Sequence, residues 1–238
     1  MKTFIPSYNR PRCVFALEVF PAATVVVPAS QEAEYRRCNP GADILAIPDD
    51  QDGNLARKRT AIAALGATEP DAAYLVVDDD VSGLWDKVVG RAVTSAEAAA
   101  LVDALGARAK AEGAVMFGLN PARQLPWKPE AEWTLNGGYA HFYGFRGDAG
   151  LAFGETVSGF ESTDLFFQCR ERGLTTLRWD RYAVEAVRGN VGGSNRASTQ
   201  CREAGLALAR KWGPRVVDLT PDGLVCGLNL NAVKKLTS

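Results

Sequence analysis

Asp78, Asp79 and Asp80 follow directly on the compact apolar run Ala73–Val77 (AYLVV). Three adjacent carboxylates repel one another, so a cluster without compensation costs stability. A hard divalent cation, Mg²⁺ or Mn²⁺, takes oxygen ligands, removes that repulsion and bridges to phosphate oxygens. In an extended chain Asp78 and Asp80 point to one side and Asp79 to the other. The outer pair is thereby placed to meet a metal or a ribose hydroxyl. A solvated acidic turn is the alternative for a bare triplet. Its position after a buried strand favours chemistry, because open α/β sheets bind ligands beyond the carboxyl ends of their strands.

A second pair of acids, Glu161 and Asp164, lies three residues apart at the start of a helical stretch and so on one helix face. Either suits a general base that removes a hydroxyl proton, and either also suits a helix first turn. His141 is the only histidine, which excludes a multi-histidine zinc site. Its alternative role is packing in an aromatic core. Gly137 and Gly138 in the run WTLNGGYAHFYGFR permit close backbone approach to a ligand. The cysteines, Cys13, Cys38, Cys169, Cys201 and Cys226, form no C-x-x-C motif and are expected to be reduced and mostly buried.

Positioning these groups requires a sheet. Strands are expected at Thr3–Pro6, Ala23–Pro28, Asp43–Pro48 and Ala73–Val77, with helices at Arg12–Phe20, from Ser30, and from Gly53 and Asn54 to about Leu65. The apolar runs are continuous rather than alternating, which marks a parallel sheet covered on both faces. Beyond the triplet, Ser95–Glu112 reads as a helix and Ala114–Gly118 as a strand. Residues 124–132 read as a loop and 133–146 as strands, with a hairpin as one arrangement. Phe160–Gly173 and Gln200–Trp212 read as helices, and 174–195 as a strand and a glycine-rich loop.

The 238 residues carry 47% hydrophobic and 23% charged side chains, which excludes disorder, collagen and coiled coil. No repeat or linker divides the chain, so a single domain over 1–238 is expected. No apolar run reaches the roughly 18–20 residues that span a bilayer. The opening MKTFIPSYNR lacks a signal-peptide core, so a cytoplasmic location, and no membrane partner, is expected. Net charge is −1 overall, but −7 over residues 1–164 and +6 over 165–238. Such asymmetry suits a surface facing a polyanion, or is an accident of a charged surface.

The order IPSYNRP, a βαβα unit, a helix containing Ala56-Arg57-Lys58-Arg59 and then YLVVDDDV resembles the nucleotide-sugar-binding half of GT-A glycosyltransferases. The resemblance implies an α/β, Rossmann-like, mostly parallel sheet with helices on both faces. Residues 1–118 would bind the nucleotide sugar and 119–238 would carry acceptor and catalytic elements. Carried over, Pro6, Ser7, Tyr8 and Asn9 frame the base, with Asp49 or Asp50 as a further contact. Arg57 approaches the diphosphate, or Lys58 or Arg59 does so; at least two of the three are expected on a solvated helix face. Asp78, Asp79 and Asp80 hold the donor and a divalent metal (Mn²⁺ or Mg²⁺).

The segment GFESTDLFF resembles the family's Glu-Asp-x-Asp-Leu segment, with Ser162 where the family's Asp often serves as base. That departure leaves Glu161 and Asp164 as alternatives. Trp133, Asn136, Gly137, Gly138 and His141 would face the acceptor. Arg188 and Asn190 would belong to a loop closing over the diphosphate, where several family members place a metal-binding histidine that this chain lacks.

The combination of IPSYNRP, VVDDDV, LNGGYAHFYGFR and GFESTDLFFQCRERGL is similar to the TET-associated glycosyltransferases, mostly phage-encoded. It implies transfer from a nucleoside-diphosphate sugar, such as a UDP-sugar, to a 5-hydroxymethylpyrimidine in DNA, in the host cytoplasm if phage-encoded. The flipped base would stack on Trp127, Trp133 or Trp179, for each of which core packing is the commoner fate. A GT-A enzyme acting on a small molecule, glycan or protein, and an inactive nucleotide-sugar-binding protein, are the alternatives. A nucleotidyltransferase is disfavoured, since no glycine-rich phosphate loop follows the first strand.

Overall fold

Four short strands set the first layer: β1 (Lys2–Pro6), β2 (Thr24–Pro28), β3 (Asp43–Ile47) and β4 (Ala73–Val77). They are parallel, in the order β3-β2-β1-β4. Their side chains alternate between two cores. Ile5, Val25, Val27, Leu75 and Val77 enter one core, and Phe4, Val26, Tyr74 and Val76 the other. Apolar residues are therefore continuous along each strand because both sheet faces are covered. The computed structural model describes residues 1–68, 72–121, 131–139, 141–187, 198–229 and 232.

Helices α1 (Ala16–Val19), α2 (Glu32–Cys38), α3 (Asp49–Asp52) and α4 (Leu55–Gly66) connect these strands. Helix α4 begins where Asn54 caps it, its side chain accepting from the Arg57 amide at 2.9 Å. Helix α1 is shorter than the 12–20 stretch its composition suggests. The chain through Arg10–Cys13 is instead a turn, closed by Cys13 N–H to Arg10 O at 2.9 Å. The helix starts where the Ala16 amide meets the Asp79 carbonyl at 3.3 Å.

The second half makes the sheet mixed. After β4 come β5 (Val81–Asp86) and β6 (Arg91–Ala92), then α5 (Ser95–Ala111), which opens with a Thr94–Glu97 capping box. They are followed by β7 (Met116–Asn120), β8 (Trp133–Leu135), β9 (Phe142–Arg146), α6 (Glu161–Glu171), β10 (Thr176–Ala186) and α7 (Ser198–Trp212). The sheet continues β4-β9-β7-β10-β5-β6, with β8 on β10. A separate ribbon pairs β11 (Val217–Leu219) with β12 (Val225–Leu228). The sequence pattern assigns no element to 81–94 or to this ribbon. β6, β11 and β12 are two to four residues long, β6 has no buried residue to set a period, and β5 lacks the continuous apolar run that marks β1–β4.

The hairpin arrangement of 133–146 does not form. β8 pairs with β10, whereas β9 inserts between β4 and β7. Phe142 faces one core and Tyr143 and Phe145 the other, so β9 needs a central place rather than an edge. Asn136 and His141, at φ +60° and +61°, carry the chain across rather than back. Helices α1 and α5 cover one face, through Ala16, Leu101 and Leu105. Helices α4, α6 and α7 cover the other, through Ile62, Phe166, Leu208 and Trp212. No described helix is long and apolar enough to cross a membrane. The cysteines are unbridged and only Cys169 is fully buried, fewer than expected.

Gly144 permits this stacking of β9 against β7 and β4. A Cβ there would lie 2.2 Å from the Phe117 ring and 2.8 Å from Tyr74 O. Gly144→Ala is expected to destabilise by about 2 kcal/mol through overpacking. Gly138→Ala, which meets nothing within 4 Å, is expected to leave the unfolding midpoint near wild type. Urea unfolding of the two variants checks both.

Candidate functional site

The triplet sits where β4 leaves the sheet, and its side chains divide between two sides, Asp79 on one and Asp78 and Asp80 on the other. Asp79 is buried and turns to the loop after β1. Its carboxylate accepts from Ser7 Oγ at 2.6 Å and from Arg10 Nη1 at 2.8 Å. Ser7 Oγ also lies 2.7 Å from the Tyr35 hydroxyl, which accepts from the Arg10 amide at 3.0 Å. Burial pushes the Asp79 carboxyl up, with Ser7 and Arg10 pulling it back. Burial likewise pushes the Tyr35 hydroxyl up to about 12. The loop 7–10 is thus bolted to the triplet, and Tyr8 beside it keeps 45% of its surface open.

Asp78 and Asp80 turn to the other side and meet His141. The imidazole Nδ1 lies 3.1 Å from Asp78 Oδ2 and 3.7 Å from Asp80 Oδ1. One ligand atom from each residue falls within 4.8 Å of the others, so the three could hold a metal ion. Burial opposes charge on Asp78, but Arg59 and His141 outweigh it and hold its carboxyl well below the usual range. Asp80 is compensated least. Burial and the Asp78 charge push its carboxyl up to about 6, and its buried Oδ1 has no hydrogen-bond partner among the described residues. The hydrogen bond to Asp78 raises the His141 imidazole. Two carboxylates and an imidazole are a donor set that suits a divalent metal ion.

The sequence analysis names His141 for the acceptor side, and the structure places it beside Asp78 and Asp80. It is 63 residues from Asp78 in the chain. It arrives because β9 pairs with β4, and the Asp78 amide donates to the His141 carbonyl at 2.8 Å. No local spacing signals that contact.

Helix α4 overturns the expectation of a solvated Arg57-Lys58-Arg59 face. Only Arg57 is exposed to that degree; Lys58 and Arg59 are 2% and 4% exposed. Arg57 Nε donates to Glu155 Oε2 at 2.9 Å, which also accepts from Asn54 Nδ2. Lys58 donates to the Ser7 carbonyl and lies 2.8 Å from Asp52. Burial lowers the Lys58 ammonium and Asp52 pulls it back. Arg59 Nη2 meets Asp78 Oδ1 at 2.6 Å, and Nη1 meets Glu161 Oε2 at 3.2 Å.

Glu161 and Asp164 share a helix but not a partner. Glu161, 1% exposed, joins the triplet through Arg59. Asp164, fully buried, accepts from Trp212 Nε1 at 2.7 Å, Gln168 Nε2 at 2.8 Å and Lys211 Nζ at 2.8 Å. Both its oxygens are thereby occupied by its own helix and α7.

The remaining candidates lie around this centre. Pro6 ends β1. Asn9, at φ +55°, exchanges side-chain and backbone hydrogen bonds with Gln31. Asp49 accepts from Ser30, and Asp50 is exposed at the start of α3. Asn136, Gly137 and Gly138 are tied to β10 rather than to the triplet. The Asn136 amide donates to Thr176 O at 2.8 Å, and Arg178 Nη1 donates to Gly138 O at 3.3 Å. Trp133 stacks on Trp179 at 4.3 Å, with the Arg108 guanidinium 5.6 Å from its ring. Arg188, Asn190 and Trp127 lie outside the described residues. The described chain reaches Val187, whose amide donates to Asp80 O at 2.8 Å.

Two substitutions separate stability from site. Asp164→Asn keeps an acceptor for Trp212 but turns an NH2 group on the donors Gln168 Nε2 and Lys211 Nζ, and is expected to cost about 2–3 kcal/mol in denaturant unfolding. His141→Asn keeps a side chain that tolerates positive φ, so stability is expected within about 0.5 kcal/mol of wild type while Mn²⁺ affinity falls. Thermal melts with and without Mn²⁺ check both halves.

No known family profile matches the chain, and no curated protein matches it. Among solved structures, one match is a mannose-1-phosphate geranyltransferase from Thermus thermophilus, 17% identical over 61% of this chain, with a TM-score of 0.37. The match spans 58% of that protein's length.

Proposed function

We propose that the protein is a metal-dependent glycosyltransferase that moves a sugar from a nucleoside-diphosphate sugar, such as a UDP-sugar, to a hydroxyl acceptor. The observation that carries this reading is the convergence of Asp78, Asp80 and His141 beyond the carboxyl end of β4, beside the loop that Asp79 fixes. Asp78, Asp80 and His141 would hold Mn²⁺ or Mg²⁺. When bound, that ion supplies Lewis-acid stabilisation of charge developing on the leaving diphosphate.

The chain's own groups supply the rest. Tyr8 offers an open ring for the nucleobase, framed by Pro6, Ser7 and Asn9, with Asp49 or Asp50 as a further contact. Asp79 keeps that frame in register with the triplet. Arg57 is the guanidinium on α4 with the exposure to reach a diphosphate, by exchanging its Glu155 partner. Arg188 and Asn190, outside the described residues, are assigned in this reading to the diphosphate as well. Glu161 is the better general base of the two acids, since Oε1 has no partner while both Asp164 oxygens are occupied.

The acceptor in this reading is a 5-hydroxymethylpyrimidine in DNA, with Trp133, Asn136, Gly137 and Gly138 on the acceptor side. The sequence resemblance and the +6 balance of residues 165–238 support it, because phosphate contacts dominate DNA affinity.

The test is incubation with Mn²⁺, a panel of nucleotide sugars and duplex DNA containing 5-hydroxymethylcytosine or 5-hydroxymethyluracil, followed by mass spectrometry of the nucleosides. A sugar-sized mass gain on one modified base is expected. Donor hydrolysis without a gain would move the acceptor off DNA. Absence of both gain and hydrolysis would overturn the transferase. Asp80→Asn is expected to lower transfer by roughly 10²-fold or more with an unchanged fold.

A further inference from the structure

Arg59 is a buried cation that the chemistry above does not use. Its Nη2 takes one oxygen of Asp78 and its Nη1 one oxygen of Glu161, at 2.6 and 3.2 Å. The guanidinium carbon lies 5.2 Å from the centre of the Tyr143 ring, which fixes the plane of the fork. Each carboxylate keeps its second oxygen for something else. Asp78 Oδ2 faces His141 at 3.1 Å, and Glu161 Oε1 has no hydrogen-bond partner among the described residues. One rigid group thus spans the cluster at the end of β4 and the acid at the start of α6.

We propose that Arg59 is a positioning residue that couples occupancy of the Asp78–Asp80–His141 cluster by a divalent cation to the orientation of Glu161. This rests on reading that cluster as the cation site. The guanidinium fork suits the task and an ammonium does not, because two donors on one plane hold two carboxylates at a fixed separation. Burial of Arg59 and Glu161 strengthens the coupling, since little water is present to replace either of them, while Asp78 stays open enough for a cation to reach. The two acids share a single positive charge. A divalent cation beside Asp78 draws that carboxylate's charge to itself, and the Arg59 fork then binds Glu161 more tightly. By linkage, removing the Glu161 charge leaves the fork to Asp78 alone, where it competes with the cation.

The test is Mn²⁺ binding to the full chain without donor or acceptor, by titration calorimetry and by the loss of free-Mn²⁺ paramagnetic signal. Glu161→Gln is expected to weaken Mn²⁺ about 5-fold or more, a typical size for a coupling between sites. Asp164→Asn, on the same helix but joined to α7, is expected to stay within about twofold. A general loss of negative charge, or of α6 packing, would move both variants alike and would overturn the proposal. Arg59→Lys keeps the charge but cannot span both acids, so in that background Glu161→Gln is expected to lose most of its effect. Additive effects in the four-member cycle would overturn the coupling. If Glu161→Gln fails to fold by circular dichroism, Glu161→Asp serves, with a shortened reach and the same direction of effect. Wild type that binds neither Mn²⁺ nor Mg²⁺ overturns the cation site itself. Wild-type Mn²⁺ affinity in Glu161→Gln, with loss in Asp80→Asn, overturns only the role of Arg59.

Discussion

The repulsion among Asp78, Asp79 and Asp80 is relieved in part by turning Asp79 to one side and leaving Asp78 and Asp80 together around His141 on the other, and the neighbouring loops and helices follow from that arrangement. Asp79 takes Ser7 and Arg10, which draws in the loop after β1. Its carbonyl takes the Ala16 amide and so sets where α1 begins. Asp78 takes Arg59 and His141, which ties α4 and the start of β9 to the same point. The Asp80 carbonyl takes the Val187 amide, at the end of β10. Separate stretches of chain from both halves of the sequence are registered against one tripeptide at the rim of the sheet.

Holding α4 there has an energetic consequence. Lys58 and Arg59 are buried on a helix that also buries Ala56 and Ile62, where apolar residues would ordinarily suffice. A buried ion pair is at best a modest contributor to stability, whereas leaving one partner alone is expensive. The pairs Lys58–Asp52 and Arg59–Asp78 therefore act less as glue than as specification. A slipped register of α4 would leave several buried charges unmatched at once. Lys58 also donates to the Ser7 carbonyl, so the loop after β1 and the acidic cluster are held by adjacent residues of one helix.

The sheet was legible because burial on both faces leaves an unmistakable pattern, as in ATVVVP and AYLVV. The place of the triplet was legible because it follows such a run directly and so lies at the strand's carboxyl end. The roles within ARKR were not, since helix position alone does not say which cations have acidic partners waiting across a core. Glu161 and Asp164 show the same limit. Their spacing correctly gives one helix, but Trp212 and Lys211 of α7 claim one acid and Arg59 of α4 the other. His141 was hidden most deeply. Its contact with Asp78 depends on β9 leaving its neighbour in sequence and entering the middle of the sheet.

The charge balance around the triplet points to the kind of ligand it suits. Four carboxylates, Asp78, Asp79, Asp80 and Glu161, face two guanidiniums, Arg10 and Arg59, because Lys58 is matched to Asp52. Counted over the described residues, and with a neutral imidazole, the cluster carries an excess of two negative charges. That excess falls on Asp80, whose carboxyl is pushed up to about 6 and whose buried oxygen is unpartnered. A proton relieves half of the excess and a lysine would do no better. A divalent cation offsets all of it from one position, and its own charge then reverses the local preference for protonation. The same ion would also favour a diphosphate, which no cluster of carboxylates could approach by itself.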